Sequence, residues 1–241
     1  KRKLNYYMRT WIVAVGVVLG LSACNAQSGI TENKQEPKPA LSMADVVPVK
    51  APKTVAQKAS QQRFLKENTR RFKNRKLASE YYVLQAQRNF NEQKTDSAAY
   101  LFGRAWLMDS TNNDIYWGYG RVYGQQKAYD KALFILYRAL ENDKKNPRLL
   151  TDIATSHLGR FYEESNPQDL LQSRKLLEEA VKLSPDKADA YYKLAINSYY
   201  LSEYQKAWEY LHKSISHDKE IADKNFIGAL SEKQHDPQGV Y

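Results

Sequence analysis

Few side chains in this sequence could carry out chemistry, and their spacing argues against a catalytic site. The single cysteine, Cys24, excludes an intrachain disulfide and a two-cysteine metal or redox site. Gly118, Gly120 and Gly124 imitate a glycine-rich nucleotide loop, but no strand is predicted before them. No metal-ligand spacing relates the four histidines, which are His157, His212, His217 and His235. The sequence therefore predicts no cofactor, no metal and no enzymatic activity.

Cys24 lies at the end of a basic and then apolar N-terminal segment. Residues 1–10 contain four basic side chains and no acidic one, and residues 11–23 form a 13-residue apolar run. A helix of that length spans about 20 Å, which is less than the ~30 Å hydrocarbon core of a bilayer. The pattern favours a cleaved secretory signal over an uncleaved membrane-spanning anchor.

The residues Leu21-Ser22-Ala23-Cys24 resemble the lipobox of bacterial lipoproteins. The resemblance implies that residues 1–23 are removed as a signal peptide and that Cys24 then carries two or three acyl chains. One acyl chain anchors a protein only reversibly, so several chains imply stable attachment to a membrane. Asn25 favours the outer membrane by analogy with enterobacterial lipoproteins, which implies a cell-envelope protein facing the periplasm. Met8 would open a more typical signal than Lys1, so both remain candidate starts.

Residues 24–60 are predicted to form a flexible tether. They contain four prolines and no aromatic residue, and they show no hydrophobic periodicity, so they bury too little apolar surface to offset the entropy of ordering. Residues 24–76 carry a net charge of +8, whereas residues 77–241 carry −2. Because the basic charge lies outside the predicted fold, the high isoelectric point does not indicate a nucleic-acid partner.

The C-terminal two thirds contain a repeated pattern of large and small residues. The clearest unit runs from Ala188 to Lys219, and a second begins at Asn113. The first unit places its large, small and aromatic residues at Tyr191, Leu194, Ala195, Tyr204, Ala207, Leu211 and Ser214. The second uses Tyr116, Tyr119, Gly120, Tyr123, Tyr129, Ala132, Leu136 and Ala139. These two units resemble the tetratricopeptide repeat, in which two antiparallel helices pack through the small positions.

Two further units keep the spacing less well. One begins at Ser79, and the other begins at Pro147 and contains an insertion of about seven residues near 163–167, relative to the ~34-residue period. The predicted fold is all-α, a solenoid of three or four helical hairpins over 79–231, because a single hairpin cannot bury its own apolar face. A basic helical lead-in is predicted over 61–78, a capping helix from 222 to 231, and a frayed tail over 232–241.

The resemblance implies a protein-binding groove along the first helices of the hairpins. Counting from the core positions gives six candidate contacts, which are Phe90, Trp117, Arg121, Arg148, Tyr192 and Tyr199. Exposed aromatic and arginine side chains are common anchors of peptide recognition. The alternative is that Trp117, Tyr192 and Tyr199 pack against the next hairpin or the capping helix.

A second candidate surface is the basic segment 63–76, which contains seven Lys or Arg and one Glu. The residues concerned are Arg63, Lys66, Arg70, Arg71, Lys73, Arg75 and Lys76. This segment is either a solvated helix that docks on the first hairpin, or a contact for anionic headgroups or an acidic partner.

The leading hypothesis is a membrane-tethered scaffold that binds a protein or peptide in the bacterial envelope. Self-association as a structural spacer is the second hypothesis, and an enzyme with its site in the 160–170 insertion is the third. No nucleic-acid partner is expected.

Overall fold

The computed structural model describes residues 40–221 and 223–241. The predicted signal peptide, Cys24 and the tether up to residue 39 lie outside these ranges. Within the described residues the chain forms eleven α-helices and no strand. They are α1 (Met43–Val46), α2 (Val55–Arg71), α3 (Arg75–Asn91), α4 (Thr95–Met108), α5 (Asn113–Gln125), α6 (Tyr129–Asn142), α7 (Pro147–Glu164), α8 (Pro167–Leu183), α9 (Ala188–Tyr200), α10 (Tyr204–His217) and α11 (Lys224–Lys233). The predicted all-α class is confirmed.

Helices α3 to α10 form four helical hairpins: α3–α4, α5–α6, α7–α8 and α9–α10. The second helix of each hairpin also contacts the first helix of the next, and the first helices α3, α5, α7 and α9 contact one another in sequence. Such an arrangement stacks the hairpins into a solenoid with the first helices along one side. We call the surface formed by these first helices the inner groove and the opposite side the outer face.

Small residues set the spacing of the helices, as the repeat pattern predicts. A Cβ atom at Gly120 would lie well inside van der Waals contact with Leu136, and one at Gly118 would overlap the Phe102 ring. The glycines of this segment therefore allow helix packing and do not form a phosphate loop. Three contiguous apolar clusters result, one across the first two hairpins, one across hairpins two to four, and one between the last hairpin and α11.

Three of the hairpins turn through a central residue in the left-handed conformation. Gln93, Lys127 and Ser202 have φ angles of 63°, 59° and 59° between their paired helices. Glycine is the residue that adopts this conformation without strain, so the sequence gives no direct signal for these turns.

The insertion predicted in the third hairpin is helical. Helix α7 has 18 residues, compared with 13 in α5 and in α9, and it ends where Ser165 adopts a left-handed conformation with φ of 54°. Asn166 then caps α8 by accepting the backbone N–H of Gln168, with Pro167 in the first helical turn. The extra residues lengthen the hairpin and do not form a loop.

The predicted tether boundary at residue 60 is wrong, because ordered structure begins earlier. Val46 and Val47 are buried against the first two hairpins, and the Val46 carbonyl accepts a 2.7 Å hydrogen bond from the Tyr123 hydroxyl. Helix α1 contacts α6, and Val49 lies beside Gly103 of α4. We call residues 43–49 the strap. It fills a groove between two second helices on the outer face, and α2 already begins at Val55.

The predicted frayed C-terminal tail is also wrong in part. The Asp236 side chain is buried and accepts the backbone N–H groups of Gln238, Val240 and Tyr241. Trp208, which is fully buried, donates its indole N–H to the Gln234 carbonyl, and the Tyr241 ring stacks on it at 6.3 Å. The tail therefore closes the end of the last hairpin.

In the described part of the chain, no helix combines the length and the apolar character needed to cross a bilayer.

Candidate partner-binding groove

A hydrogen bond between two first helices forms the centre of the inner groove. The Trp117 indole on α5 donates its Nε1–H to Asp152 Oδ2 on α7 at 2.6 Å. Trp117 is half-buried and packs against the apolar cluster of hairpins two to four. Trp117 therefore contributes to the core and remains partly accessible.

Asp152 is a groove residue that the repeat pattern does not predict. Burial raises the pKa of its carboxyl above the ordinary value, and the Trp117 hydrogen bond and the positive charges of Arg121 and Lys193 oppose that rise. Lys193 on α9 forms an ion pair with Asp189 one turn earlier. Three successive first helices therefore contribute alternating charges to one short stretch of the groove.

The prediction at Phe90 needs correction. Phe90 is 8% exposed, and the guanidinium of Arg121 lies 4.4 Å from the centre of its ring. Arg121 covers Phe90, so the arginine is the accessible member of the pair. Stacking on an aromatic ring also orders the guanidinium in the groove, since cation–π contact is favourable.

The prediction for the fourth hairpin is wrong at Tyr192, where the capping helix covers the groove. Tyr192 is 4% exposed, packs edge-to-face on Phe226 of α11 at 5.6 Å, and accepts the Asp223 backbone N–H through its hydroxyl. Burial raises the pKa of Tyr192 to about 12. Tyr199, half-buried, also packs on Phe226, at 5.8 Å. Tyr192 and Tyr199 therefore pack against the capping helix, which was the alternative to a role in partner binding.

The third hairpin contributes the open part of the groove. Arg148 and Thr155 are exposed on α7, on either side of Asp152. Arg148 forms no ion pair with a described residue. The accessible groove thus runs from Arg121 and Trp117 across Asp152 and Thr155 to Lys193.

All seven basic residues of segment 63–76 are exposed, but one of them has a structural contact. Arg63, Lys66, Arg70, Arg71, Lys73 and Lys76 are all exposed. Arg75 donates to the Met108 and Leu107 carbonyls, both at 2.7 Å, at the end of α4. Arg75 therefore satisfies the last carbonyls of that helix, and its role is structural.

A polar network joins the second and third hairpins, and the repeat pattern does not predict it. His157 Nδ1 lies 2.6 Å from Asp169 Oδ1, and its Nε2 lies 2.9 Å from the Tyr137 hydroxyl. Arg160 donates to Asp169 through Nε and Nη2 and to Asp130 through Nη1. Burial lowers the pKa of His157. Burial acts to raise the pKa of Asp169, but hydrogen bonds from Arg160 and His157 outweigh it and hold that pKa below its usual range.

These residues bear on the hypothesis of an enzyme in the 160–170 region. Arg160 and Asp169 are directed at each other and at neighbouring helices, so the network holds hairpins together. A surface depression of about 290 Å³ borders this region and is lined by residues 127–131, 163 and 164. Across residues 40–221 and 223–241, no group of three or more His, Cys, Asp or Glu side chains could hold a metal ion.

Comparison with known proteins agrees with this architecture. A family model for the tetratricopeptide repeat matches residues 90–155. No curated protein matches the chain.

Solved structures share the fold at low sequence identity. The thermophilic tetratricopeptide protein TTC0263 of Thermus thermophilus superposes with a TM-score of 0.56 at 14% identity, over 64% of this chain and 80% of that one. Pseudomonas aeruginosa PilF superposes with a TM-score of 0.56 at 19% identity, over 66% of this chain and 70% of that one. MamA of Desulfovibrio magneticus RS-1 superposes with a TM-score of 0.50 at 16% identity, over 72% of this chain and 100% of that one. The described residues therefore form a tetratricopeptide-type α-solenoid.

Proposed function

We propose that this chain is a scaffold of the bacterial cell envelope, anchored by a lipid on Cys24, that binds a protein or peptide partner in its inner groove. The observation that carries the groove proposal is the Trp117–Asp152 hydrogen bond across α5 and α7. It positions a half-buried aromatic ring beside Arg121 and Lys193, and aromatic and arginine side chains on a rigid support are effective anchors for a peptide. The solenoid fold supports the same role, because stacked hairpins present an extended binding surface.

The groove is tested by photo-cross-linking in cells that express the full chain. A photoreactive amino acid at Thr155 lies in the groove, and the same amino acid at Gln172, exposed on α8, lies outside it. We expect a discrete cross-linked partner from position 155 and none from position 172, and we expect Arg121→Glu to reduce the yield. Equal products from both positions, or no effect of Arg121→Glu, would contradict the groove proposal.

The anchor is tested by metabolic labelling with a radioactive or clickable fatty acid. Because Cys24 is the only cysteine, a Cys24→Ala chain should lose the label and leave the membrane fraction. A chain that never incorporates the fatty acid, or a Cys24→Ala chain that keeps it, rules out the anchor while leaving the groove untouched.

Self-association is a second candidate, supported by an exposed aromatic cluster at one end of α7 and α9. Tyr162 and Tyr200 are 44% and 45% exposed, and both rings contact Phe161. Light scattering of residues 40–241 at increasing concentration tests this candidate. A dimer that Tyr162→Ser disrupts would support it, and a monomer at every concentration would exclude it.

A further inference from the structure

Helix α2 carries a row of cations on the side that faces away from the solenoid. Arg63, Lys66 and Arg70 are three and four residues apart, a spacing that places them on one face of the helix. The opposite face packs on α3, where Phe64 lies 5.8 Å from the Tyr82 ring and the Tyr82 hydroxyl donates to Asn68 at 2.8 Å. The packed face fixes the orientation of the helix, so the cationic face is held outward.

The charge of this surface is not neutralised by the rest of the domain. Arg63, Lys66 and Arg70 are exposed, and none of them forms an ion pair with a described residue. Between residues 54 and 76 the sequence contains eight basic residues and one acid, Glu67. A concentration of like charge on one helix face destabilises the isolated domain slightly, which suggests that the charge serves binding.

The turn that follows α2 and the first turn of α3 extend the surface and add apolar contact. Lys73 and Lys76 are exposed there, Leu77 is 44% exposed, and Phe72 is half-buried. Cations with long aliphatic stems next to exposed apolar side chains suit a lipid interface, where the charges meet headgroups and the carbon atoms enter the acyl boundary. A single outward helix face has no cleft of the kind that anchors a folded protein partner.

Only a short length of chain separates the proposed anchor from the strap. Ala40 follows Cys24 by 16 residues, which span at most about 55 Å at ~3.5 Å per residue. The strap then binds the first two hairpins, the same end of the solenoid to which α2 is attached. A lipid on Cys24 would therefore keep α2 within reach of the bilayer.

We propose that the outward face of α2, formed by Arg63, Lys66 and Arg70, docks the domain on anionic phospholipid headgroups. The face then fixes one end of the solenoid on the membrane and leaves the inner groove of the later hairpins free. The location of the bilayer rests on the proposed lipid anchor, but the binding chemistry does not. An unanchored fragment therefore tests it independently.

The test uses residues 40–241, which form one compact unit that contains all three apolar clusters. Its binding is measured by co-sedimentation with vesicles of phosphatidylcholine alone and of phosphatidylcholine mixed with phosphatidylglycerol. We compare the wild-type fragment with Arg63→Gln/Lys66→Gln/Arg70→Gln. A matched control, Lys144→Gln/Lys145→Gln/Lys182→Gln, removes three other exposed cations that form no ion pair with a described residue.

We expect the wild-type fragment and the control to bind the phosphatidylglycerol vesicles and to be released by salt. The triple variant in α2 should bind about 100-fold more weakly, because each cation near an anionic surface contributes about fivefold in affinity. Equal binding by the α2 variant and the wild-type fragment overturns the proposal, and so does equal binding to neutral vesicles. Binding to polyglutamate without binding to phosphatidylglycerol would assign the face to an acidic polypeptide instead. Arg121→Glu should leave vesicle binding unchanged, which separates this result from the groove.

Discussion

Trp117 and Asp152 join the first helices of adjacent hairpins through a hydrogen bond of 2.6 Å. The two residues are 35 positions apart, so the contact links neighbouring repeats in space. A half-buried carboxylate is unfavourable without a donor, and the indole N–H supplies one at the floor of the groove. The same contact therefore stabilises the stack and orders the side chains offered to a partner.

Replacing the indole tests this dual role. Trp117→Phe keeps an aromatic ring but removes the donor, and we expect the free energy of unfolding to fall by about 1–3 kcal/mol at pH 7. Burial already raises the pKa of Asp152, so the ionised form is the one that needs the donor. The loss should therefore be larger at pH 7 than at pH 5, because acid favours the protonated carboxyl of Asp152, which does not need the donor. Urea denaturation at both pH values measures it.

Trp106→Phe is the matched control, since Trp106 is half-buried on α4 and no hydrogen bond of its indole is present within the described ranges. It should lose less stability, and the loss should not depend on pH. A pH-independent loss in Trp117→Phe would mean that the contact with Asp152 contributes little.

Replacing a helical glycine by alanine should have opposite effects on the free energy of unfolding at two positions. A Cβ atom at Gly118 would overlap the buried Phe102 ring, whereas one at Gly228 on α11 meets no atom within 4 Å. Gly118→Ala should lower the free energy of unfolding by about 1–3 kcal/mol through overpacking. Gly228→Ala should raise it by about 0.5–1 kcal/mol, because alanine has the better helix propensity. Thermal denaturation compares the two, and equal shifts in the same direction would show that the packing at Gly118 is not tight.

The polar network between the second and third hairpins predicts loss of stability in mild acid. Burial lowers the pKa of His157 below its usual value of 6.5, so the unfolded chain takes up the proton more readily than the folded one. The contribution of His157 to stability should therefore be constant above about pH 7 and decrease as the pH falls through 6.5 toward the lowered pKa. Asp169, whose pKa is lowered, extends this loss to more acid pH.

His157→Gln removes the first of these titrations. The variant should be less stable than the wild type at pH 7, because the bond to Asp169 weakens, but its stability should change less between pH 7 and about pH 5. His235→Gln, at an exposed position, should keep the wild-type pH dependence. Chemical denaturation across this pH range gives the comparison. An unchanged slope in His157→Gln would show that His157 does not carry the acid sensitivity.

The hairpins could be predicted from the sequence because their signal is local. Small residues such as Gly120 and Ala195 recur at fixed distances from large ones, and both lie where two helices approach closely. The groove was harder to predict. Asp152 is hard to predict because counting from the core positions of α7 places Thr151, and not Asp152, on the groove face, whereas Thr151 is buried and its hydroxyl donates to the Pro147 carbonyl. Tyr192 occupies the expected groove position, but α11 folds over it.

The two chain ends could not be predicted, because their contacts are distant in sequence. The sequence of the strap shows no helical or strand periodicity. The Tyr123 hydroxyl, which donates to the Val46 carbonyl of the strap, lies 77 residues further along the chain. Likewise, the tail closes on Trp208, 26 residues before the Gln234 carbonyl that accepts its indole. Short segments at the chain ends gain order from a preformed surface, and sequence patterns do not report that surface.

The last prediction concerns Val46 of the strap, which is buried although residues 24–60 were predicted to form a flexible tether. Val46→Ala removes two methyl groups from a fully buried site between the outer helices, and about 2 kcal/mol of the free energy of unfolding should be lost with them. Val55→Ala, at a side chain that is 85% exposed, should change stability by less than ~0.5 kcal/mol. Limited proteolysis should also cut residues 40–53 faster in Val46→Ala, because a weakened strap leaves its groove more often. If the two variants are equally stable and equally resistant, the strap does not hold the first two hairpins together.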